Sequence, residues 1–315
     1  MRPIRLRDFI ADREGWIYAV STYDNTERVG GILRYLPDPA GERSSASGQR
    51  YRKLEFDEAF LLIRREKPGY MDRIHRVPLG DVTVVKKPEV ELPHIAARDP
   101  RVRSLVRLFA LPPGSLGCTG SRLIGLEAES SDIDLVVYGT AFCAACERLR
   151  RAIETGEVQD LSEEMWRTVY RKRSPELPFD EFVLHEQRKW NRGEIEGTYF
   201  DLLYTRSYDD LGTVPVGHGE VLGPRTIEAV VTDATHAFDS PAVYRVRHPE
   251  ISCILSFSHT YSGQALPGEM VEARGVCERH GEELFLVVGT TRTAKGEWIR
   301  SRTLLEENPG MREPR

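Results

Sequence analysis

The sequence predicts a mixed α/β (α+β) protein: an α/β core, preceded by a β-rich N-terminal domain and followed by a small OB-like β-barrel. Three observations predict this fold class. Strand-like runs are prominent in residues 1–95, and helical and strand patterns alternate over residues 96–211. About five short apolar runs, separated by turn residues, follow in residues 215–306, a pattern typical of a small closed barrel. We expect residues 307–315 to form a frayed tail.

Composition and charge exclude several classes of protein. The 315 residues include 44 Lys plus Arg and 49 Asp plus Glu, a net charge of −5, so binding of phosphate requires a local basic patch. Apolar runs such as Ala59–Ile63 and Leu284–Val288 are far shorter than the roughly 20 residues of a membrane span, so no membrane partner is expected. Five cysteines favour free thiols in a reducing compartment. The first residues lead into no apolar signal segment, and we therefore expect a cytoplasmic protein.

The N-terminal section begins with two predicted strands, Gly15–Val20 and Gly31–Leu36. Pro37–Gln49 is rich in Pro, Gly and Ser, a composition that indicates a loop. Phe56–Ile63 has the apolar spacing of a helix. Lys86–Pro93, with its two prolines, reads as a connector to the core.

The core section begins with a predicted helix over Val102–Phe109, followed by a short strand over Ser115–Thr119 that enters a Gly-Ser turn. Ile133–Tyr138 is a β-branched, apolar run and predicts a buried strand. The remaining predicted elements of the core are three helices and one strand: Ala141–Thr155, Ser162–Lys172, Phe179–Arg192 and Thr198–Tyr204.

The C-terminal section carries aromatic residues interleaved with arginines, the combination that binds single-stranded nucleic acid by stacking and charge. An equally weighted interpretation is that these aromatics fill the core of the barrel. The predicted strands are Ile227–Val231, Ala242–Val246, Ile254–Phe257, Met270–Arg274 and Leu284–Val288, and the aromatic residues are Phe238, Tyr244, Phe257, Tyr261 and Trp298.

Two aspartates at the start of the predicted strand at 133–138 are the main chemical signal. Asp132 and Asp134 are two residues apart, so their side chains project from the same face of a strand. Adjacent carboxylates repel one another unless a cation lies between them, and carboxylate oxygens suit Mg²⁺. Upstream, the Gly120-Ser121 turn offers backbone N–H groups and a hydroxyl to a phosphate. The pattern therefore predicts a metal–phosphate site.

Asp201 supplies a third carboxylate, within an otherwise apolar predicted strand. A charge in that setting is costly unless it is paired or bound to metal. If this strand lies beside the one that carries Asp132 and Asp134, the three carboxylates could hold two cations for phosphoryl transfer. A structural ion pair with a nearby arginine is the alternative.

The combination of Gly-Ser, Asp-x-Asp and a later apolar strand with one aspartate resembles the DNA polymerase beta-like nucleotidyltransferase superfamily. The whole chain is similar to an uncharacterised archaeal group of predicted nucleotidyltransferases. The resemblance implies a nucleotidyltransferase core in residues 96–211. It implies that Asp132, Asp134 and Asp201 bind two Mg²⁺ ions, with Mn²⁺ as a substitute, and that Gly120 and Ser121 bind the incoming triphosphate.

Basic residues near the motif are candidates for binding the nucleotide phosphates, since arginine forks match phosphate oxygens. Arg122 is favoured by its position next to Ser121, and Lys172 and Lys189 lie on predicted helices rich in both charges. A solvated, salt-bridged helix face is the alternative for the two lysines.

We therefore expect a metal-dependent enzyme that transfers a nucleoside monophosphate from an NTP or dNTP to an acceptor hydroxyl, with release of pyrophosphate. The barrel favours the 3′ end of RNA or DNA as the acceptor. The alternatives are modification of a protein or a small molecule, or a catalytically silent nucleic-acid-binding protein. The sequence does not define the oligomeric state.

Overall fold

The computed structural model describes residues 2–212, 219–291 and 293–309, and these form a mixed α+β protein with three sheets and eight α-helices. The mixed α+β class is therefore confirmed. The contacts group the chain into two compact units. The first unit comprises residues 1–160 and 191–214, and the second comprises residues 161–190 and 215–315.

The N-terminal sheet has seven strands, in the order β4-β5-β3-β2-β1-β7, with β6 also paired to β3. One face of this sheet packs on helix α1: Leu33 and Tyr18 are fully buried together with Ala59 and Ile63 of the helix. The predicted strands and helix are confirmed within this sheet, and the predicted loop at 37–49 contains one short strand. The elements are β1 (Phe9–Asp12), β2 (Ile17–Val20), β3 (Arg28–Pro37), β4 (Arg43–Ser44), β5 (Arg50–Lys53), α1 (Phe56–Glu66), β6 (His75–Pro78) and β7 (Val82–Lys86).

The segment predicted as a connector is instead a helix, α2 (Pro88–Arg98). Pro88 occupies the first turn, where a missing N–H costs nothing, and the helix also accommodates Pro93. The next helix, α3 (Pro100–Phe109), is capped by the Asp99 carboxylate, which accepts a hydrogen bond from the Arg101 N–H. Pro88 and Pro100 therefore start helices here, and Pro93 lies inside one.

The core sheet has four strands in the order β10-β11-β9-β8. β9 (Ile133–Tyr138) and β11 (Thr198–Thr205) are parallel neighbours, and the outer strands β8 (Leu116–Cys118) and β10 (Arg192–Ile195) are antiparallel to them. The predicted helix at 179–192 ends before β10. This strand has no counterpart among the predicted elements. Two further helices belong to this region, α4 (Gly120–Leu123) and α5 (Ala141–Glu154).

The second unit combines three helices with a six-stranded sheet in which β12 pairs with both β13 and β15, and β14 runs parallel to β16. Its elements are α6 (Glu163–Arg173), α7 (Phe179–Gln187), β12 (Glu220–Asp233), β13 (Ala242–Arg247), β14 (Ile251–Ser256), β15 (Met270–His280), β16 (Glu283–Val288), β17 (Trp298–Ser301) and α8 (Arg302–Glu307). All five predicted strands are present, and β17 and α8 are additional. Of the predicted tail, residues 310–315 lie outside the described residues.

None of the helices in the described part of the chain is both long enough and apolar enough to cross a membrane.

Candidate functional site

Asp134 and Asp201 are direct neighbours in the core sheet. Asp134 is the second residue of β9, and it pairs in register with Asp201 of the parallel strand β11. Residues paired in this way project from the same face, with their Cα atoms about 5 Å apart. Asp132 precedes β9 by one residue and shares the alternation of Asp134. The expectation that these two strands lie side by side is therefore confirmed.

Arg192 lies on the other side of Asp201, directly opposite it on the antiparallel strand β10. Its Nε is 3.4 Å from Asp201 Oδ1, and the Tyr199 hydroxyl donates a 2.7 Å hydrogen bond to the same oxygen. The Asp201 side chain is largely buried. One row across the sheet thus contains Arg192, Asp201 and Asp134, so that a cation borders the pair of acids.

Gly120 lies against the carboxylate of Asp134. Its φ of 69° is in the left-handed region, and a Cβ at this position would lie well inside van der Waals contact of Asp134 Oδ2. The preceding residue, Thr119, donates its N–H to the Asp134 carbonyl at 2.9 Å. The Ser121 hydroxyl makes no hydrogen bond to any described residue. The Gly-Ser turn and the Asp-x-Asp strand are therefore adjacent, as a shared phosphate–metal site requires.

Arg122 is built into the loop between these two motifs. Its side chain is 1% exposed, and its Nε is 3.0 Å from Asp99 Oδ2. Its Nη1 donates to the carbonyls of Ser131, at 2.9 Å, and Asp132. Burial alone would raise the pKa of Asp99, but hydrogen bonds from Arg101 and Arg122 bring it below the ordinary value. These contacts indicate that Arg122 fixes the backbone that carries Asp132; a direct contact with phosphate stays a prediction.

Lys172 and Lys189 belong to the second unit rather than to the unit that carries the aspartates. Lys172 is exposed near the end of α6. Lys189 is buried, and its ammonium donates to the Glu186 carboxylate and, at 2.9 Å, to the Thr260 carbonyl. The geometry thus gives Lys189 a structural ion pair. Nucleotide binding by either lysine stays a prediction.

Arg192 was not predicted as a site residue because residues 179–192 were predicted to be one helix. Tyr199 was predicted only as part of the strand at 198–204. A local signal could have placed Arg192 opposite Asp201. Glu196 and Gly197, both with positive φ, form a two-residue turn between β10 and β11, the hallmark of a tight hairpin. This hairpin sets the register that brings Arg192 opposite Asp201.

No group of three or more His, Cys, Asp or Glu side chains within the described residues is close enough to hold a metal ion. Asp132, Asp134 and Asp201 are therefore not gathered into the three-carboxylate group that the sequence pattern suggested. The sheet does place Asp134 beside Asp201. Binding of Mg²⁺, which typically takes one or two carboxylates together with water and substrate phosphate oxygens, stays a prediction.

The aromatic residues of the C-terminal section divide into two groups. Tyr244 and Tyr261 are fully buried and belong to the core. Phe257 is exposed, and Trp298 is half-buried with the Arg274 guanidinium 5.5 Å from its ring centre. The core interpretation thus holds for the two tyrosines, whereas Phe257, Trp298 and the half-buried Phe238 keep exposed surface.

Comparison with known proteins finds a relative along nearly the whole chain. The chain is similar to the uncharacterized protein MJ1086 of Methanocaldococcus jannaschii, with 34% identity over 336 aligned positions that cover 94% of this chain and 98% of the relative. No protein-family model matches the chain. No solved structure matches it either. On the strength of an alignment over nearly the full length of both proteins, the chain belongs to the same family as this archaeal protein.

Proposed function

We propose that the protein is a metal-dependent nucleotidyltransferase of the DNA polymerase beta-like superfamily. It would transfer a nucleoside monophosphate from an NTP or dNTP to an acceptor hydroxyl, the 3′ end of a nucleic acid, in the cytoplasm. The observation that carries this proposal is the row of Asp134 and Asp201 across two parallel strands, with Gly120 packed against the Asp134 carboxylate. Two acids on the central strands of this sheet, beside a glycine turn, provide oxygen ligands and a place for phosphate.

Asp132 and Asp134 are the residues that would hold Mg²⁺, or Mn²⁺ in its place, against the triphosphate. The donor set fits the ion, because both ligands are carboxylates and Gly120 leaves room for Asp134 Oδ2. When bound, a pair of such ions neutralises charge on the attacking and leaving oxygens. Ser121 and the backbone of the Gly-Ser turn would orient the phosphates, and Arg122 would keep the Asp132 backbone in place.

Asp201 is assigned to the acceptor side of the reaction. Tyr199 and Arg192 both contact Oδ1 and so fix the rotation of the carboxylate. Held in this way, Asp201 would bind the second ion beside the attacking hydroxyl. Positioning and charge neutralisation supply the rate in phosphoryl transfer, which is consistent with a site made of fixed acids and a turn.

The second unit supports a nucleic acid as the acceptor. The pairings of β12, β13, β14, β16 and β15 return to β12, and the β14–β16 pair is parallel. We propose that these strands close into an OB-like barrel. Exposed arginines on β13 and β15, namely Arg245, Arg247 and Arg274, lie on strands of this ring. Exposed Phe257 and half-buried Trp298 provide ring faces for bases.

A catalytically silent nucleic-acid-binding protein is the second candidate. The observation in its favour is the Arg192–Asp201 ion pair, which by itself accounts for a carboxylate in an apolar strand. Nucleotidylation of a protein or a small alcohol would use the same aspartates and differs only in the acceptor.

The test is incubation with labelled ribo- and deoxyribonucleoside triphosphates, Mg²⁺ and an acceptor pool from a cell extract. We expect pyrophosphate and a labelled acceptor, both abolished in Asp134→Asn. Asp209→Asn, a change of an exposed aspartate in a turn, is the matched control and should retain activity. Label that survives nuclease treatment and remains with polypeptide would identify a protein acceptor. Single-strand binding without any transfer, equal in EDTA and in Mg²⁺, would favour the silent protein.

A further inference from the structure

The N-terminal sheet packs directly on the segment that follows the Gly-Ser turn. The face of the sheet opposite α1 forms a buried cluster in which Phe9 and Tyr35 contact Leu123 and Leu126. The Thr119 hydroxyl also donates a 2.7 Å hydrogen bond to the Arg7 carbonyl of the N-terminal segment. The N-terminal sheet is therefore in direct contact with the residues on both sides of the Gly-Ser turn.

Among the described residues, no carboxylate lies within hydrogen-bond distance of two arginines of this sheet. Arg34 of β3 is half-buried, and its guanidinium makes no hydrogen bond or ion pair with any described residue. Arg43 of β4 is 17% exposed, and its contacts are a 3.5 Å hydrogen bond to the Leu126 carbonyl and a 3.9 Å approach to Glu42. In contrast, Arg52 on the neighbouring strand β5 is paired with Asp38 and Glu58.

The charges of these two arginines and of Asp134 act on the same hydroxyl group. Burial is the main reason that the pKa of Tyr35 is raised. The Asp134 carboxylate raises this pKa further, whereas Arg34 and Arg43 oppose the rise. Geometry places the two arginines beside the loop between the Gly-Ser turn and Asp132: Tyr35, the residue after Arg34, packs with Leu123 and Leu126, and Arg43 donates to the Leu126 carbonyl.

We propose that Arg34 and Arg43 form a phosphate-binding subsite that the N-terminal sheet adds to the aspartate site; its place in a reaction rests on the proposed function. Partly buried arginines that have no carboxylate within hydrogen-bond distance are costly unless an anion binds them. A phosphate group satisfies the guanidinium fork with two parallel hydrogen bonds. The phosphate belongs either to the nucleoside triphosphate or to the acceptor strand, two sources of the same chemistry.

Binding measurements separate the two sources. The probes are ATP, followed by calorimetry, and a fluorescein-labelled single-stranded RNA, followed by anisotropy, with the full-length Arg34→Ala, Arg43→Ala and double variants. We expect each arginine-to-alanine substitution to lower the affinity for one of the two probes about tenfold, the value of a hydrogen bond to a charged group. If RNA is that probe, the slope of log affinity against log salt should also fall by about one per arginine. The affected probe identifies the source.

The controls keep this test independent of folding and of catalysis. Arg65→Ala removes an exposed arginine of α1, paired with its neighbour Glu66, and should bind both probes as the native protein does. Arg34→Lys should restore much of the affinity because it retains the charge. Native affinity of the double variant for both probes would overturn the subsite, even if nucleotidyl transfer is observed. Weakened binding in a protein without transfer would support the subsite and contradict the proposed function alone.

Discussion

At the scale of single residues, a methyl group on Gly120 would compete for the space that the Asp134 carboxylate occupies. Gly125, five residues along the chain, has nearly the same φ, 68° against 69°, but a Cβ there would meet no atom within 4 Å. Substitution by alanine imposes the same backbone strain at both positions, roughly 1–2 kcal/mol. A comparison of alanine variants at the two positions therefore separates the effect of backbone strain from the effect of the contact with Asp134.

We expect Gly120→Ala to reduce nucleotidyl transfer about a hundredfold, as displacement of a reacting group by about 1 Å does. Gly125→Ala should lose stability without a comparable loss of transfer. Urea unfolding and transfer rates, measured on both variants, check the prediction. Equal losses of transfer in the two would contradict the contact between Gly120 and Asp134 as the cause.

The pair of Asp201 and Arg192 gives a second prediction at this scale. Their side chains are 11% and 2% exposed, so removal of either partner should destabilise the fold by about 3–5 kcal/mol. If Asp201 also acts in catalysis, Asp201→Asn should lower transfer about a hundredfold more than Arg192→Met, since the second change keeps the carboxylate.

A double-mutant cycle with these two changes measures both effects. The unfolding free energies should show coupling of about 1–3 kcal/mol between neighbours. If the transfer rates fall in parallel with stability in all variants, Asp201 acts only through its structural ion pair with Arg192 and has no role in catalysis.

How far the site could be predicted depends on how local its signals are. Asp132, Asp134 and the Gly-Ser turn lie within one short stretch of chain, and the alternation of a single strand places both acids on one face. The partnership of Asp201 with Arg192 depends on the pairing of β10 with β11. Because residues 179–192 have helical spacing, the sequence pattern concealed that strand.

At the scale of elements, His185 connects α7 to the start of α8. Its Nδ1 is 2.6 Å from the Glu181 carbonyl, and its Nε2 accepts a 2.9 Å hydrogen bond from the Ser301 N–H. The ring must therefore be neutral, with the proton on Nδ1. Desolvation by burial lowers the pKa of His185 from 6.5 to about 4. An additional proton on Nε2 would face another donor and break the connection.

The stability that His185 confers is present above pH 6.5 and is lost as the pH falls towards about 4, because the unfolded chain binds the proton first. Between about pH 7 and about pH 5 this loss is about 2 kcal/mol. His185→Gln cannot titrate, so its unfolding free energy should change less over the same range. His75, whose pKa is also lowered to about 4, is present in both proteins and cancels in the comparison. Parallel pH profiles of native and variant protein in urea unfolding would exclude His185 as the group responsible.

Elements with a clear period could be predicted from the sequence, and those that depend on context could not. The amphipathic spacing of α1, α3, α5 and α6 reflects burial of one face on a sheet or a neighbouring helix. α2 was missed because proline is a helix breaker in the interior but is tolerated in the first turn. The short strands β10 and β17 have too few residues to establish alternation, and it is pairing with a longer strand that defines them.

At the scale of the whole molecule, residues that are neighbours in sequence do not all belong to the same compact unit. The sequence sections assume contiguous domains, whereas contacts group α6 and α7 with the C-terminal strands. Specific contacts explain this grouping: Arg188 Nη1 is 2.7 Å from Glu269, and Arg300 Nη1 is 3.4 Å from Glu181. Such pairs, about 80 or more residues apart, have no signature in local composition.

This grouping predicts the outcome of cutting the chain. A fragment of residues 219–309 lacks α6 and α7, so Glu269 loses its partner Arg188 and the Ser301 N–H loses His185. Loss of one partner of a buried charged pair costs about 3–5 kcal/mol, a large part of the stability of a domain. We expect this fragment to unfold without a cooperative transition. A fragment in which a Gly-Ser linker joins residues 161–190 to residues 219–309, and which therefore omits the strands of the first unit, should unfold cooperatively in urea. Far-UV circular dichroism during urea titration checks both, and equal midpoints for the two fragments would show that the C-terminal strands form a domain without the helices.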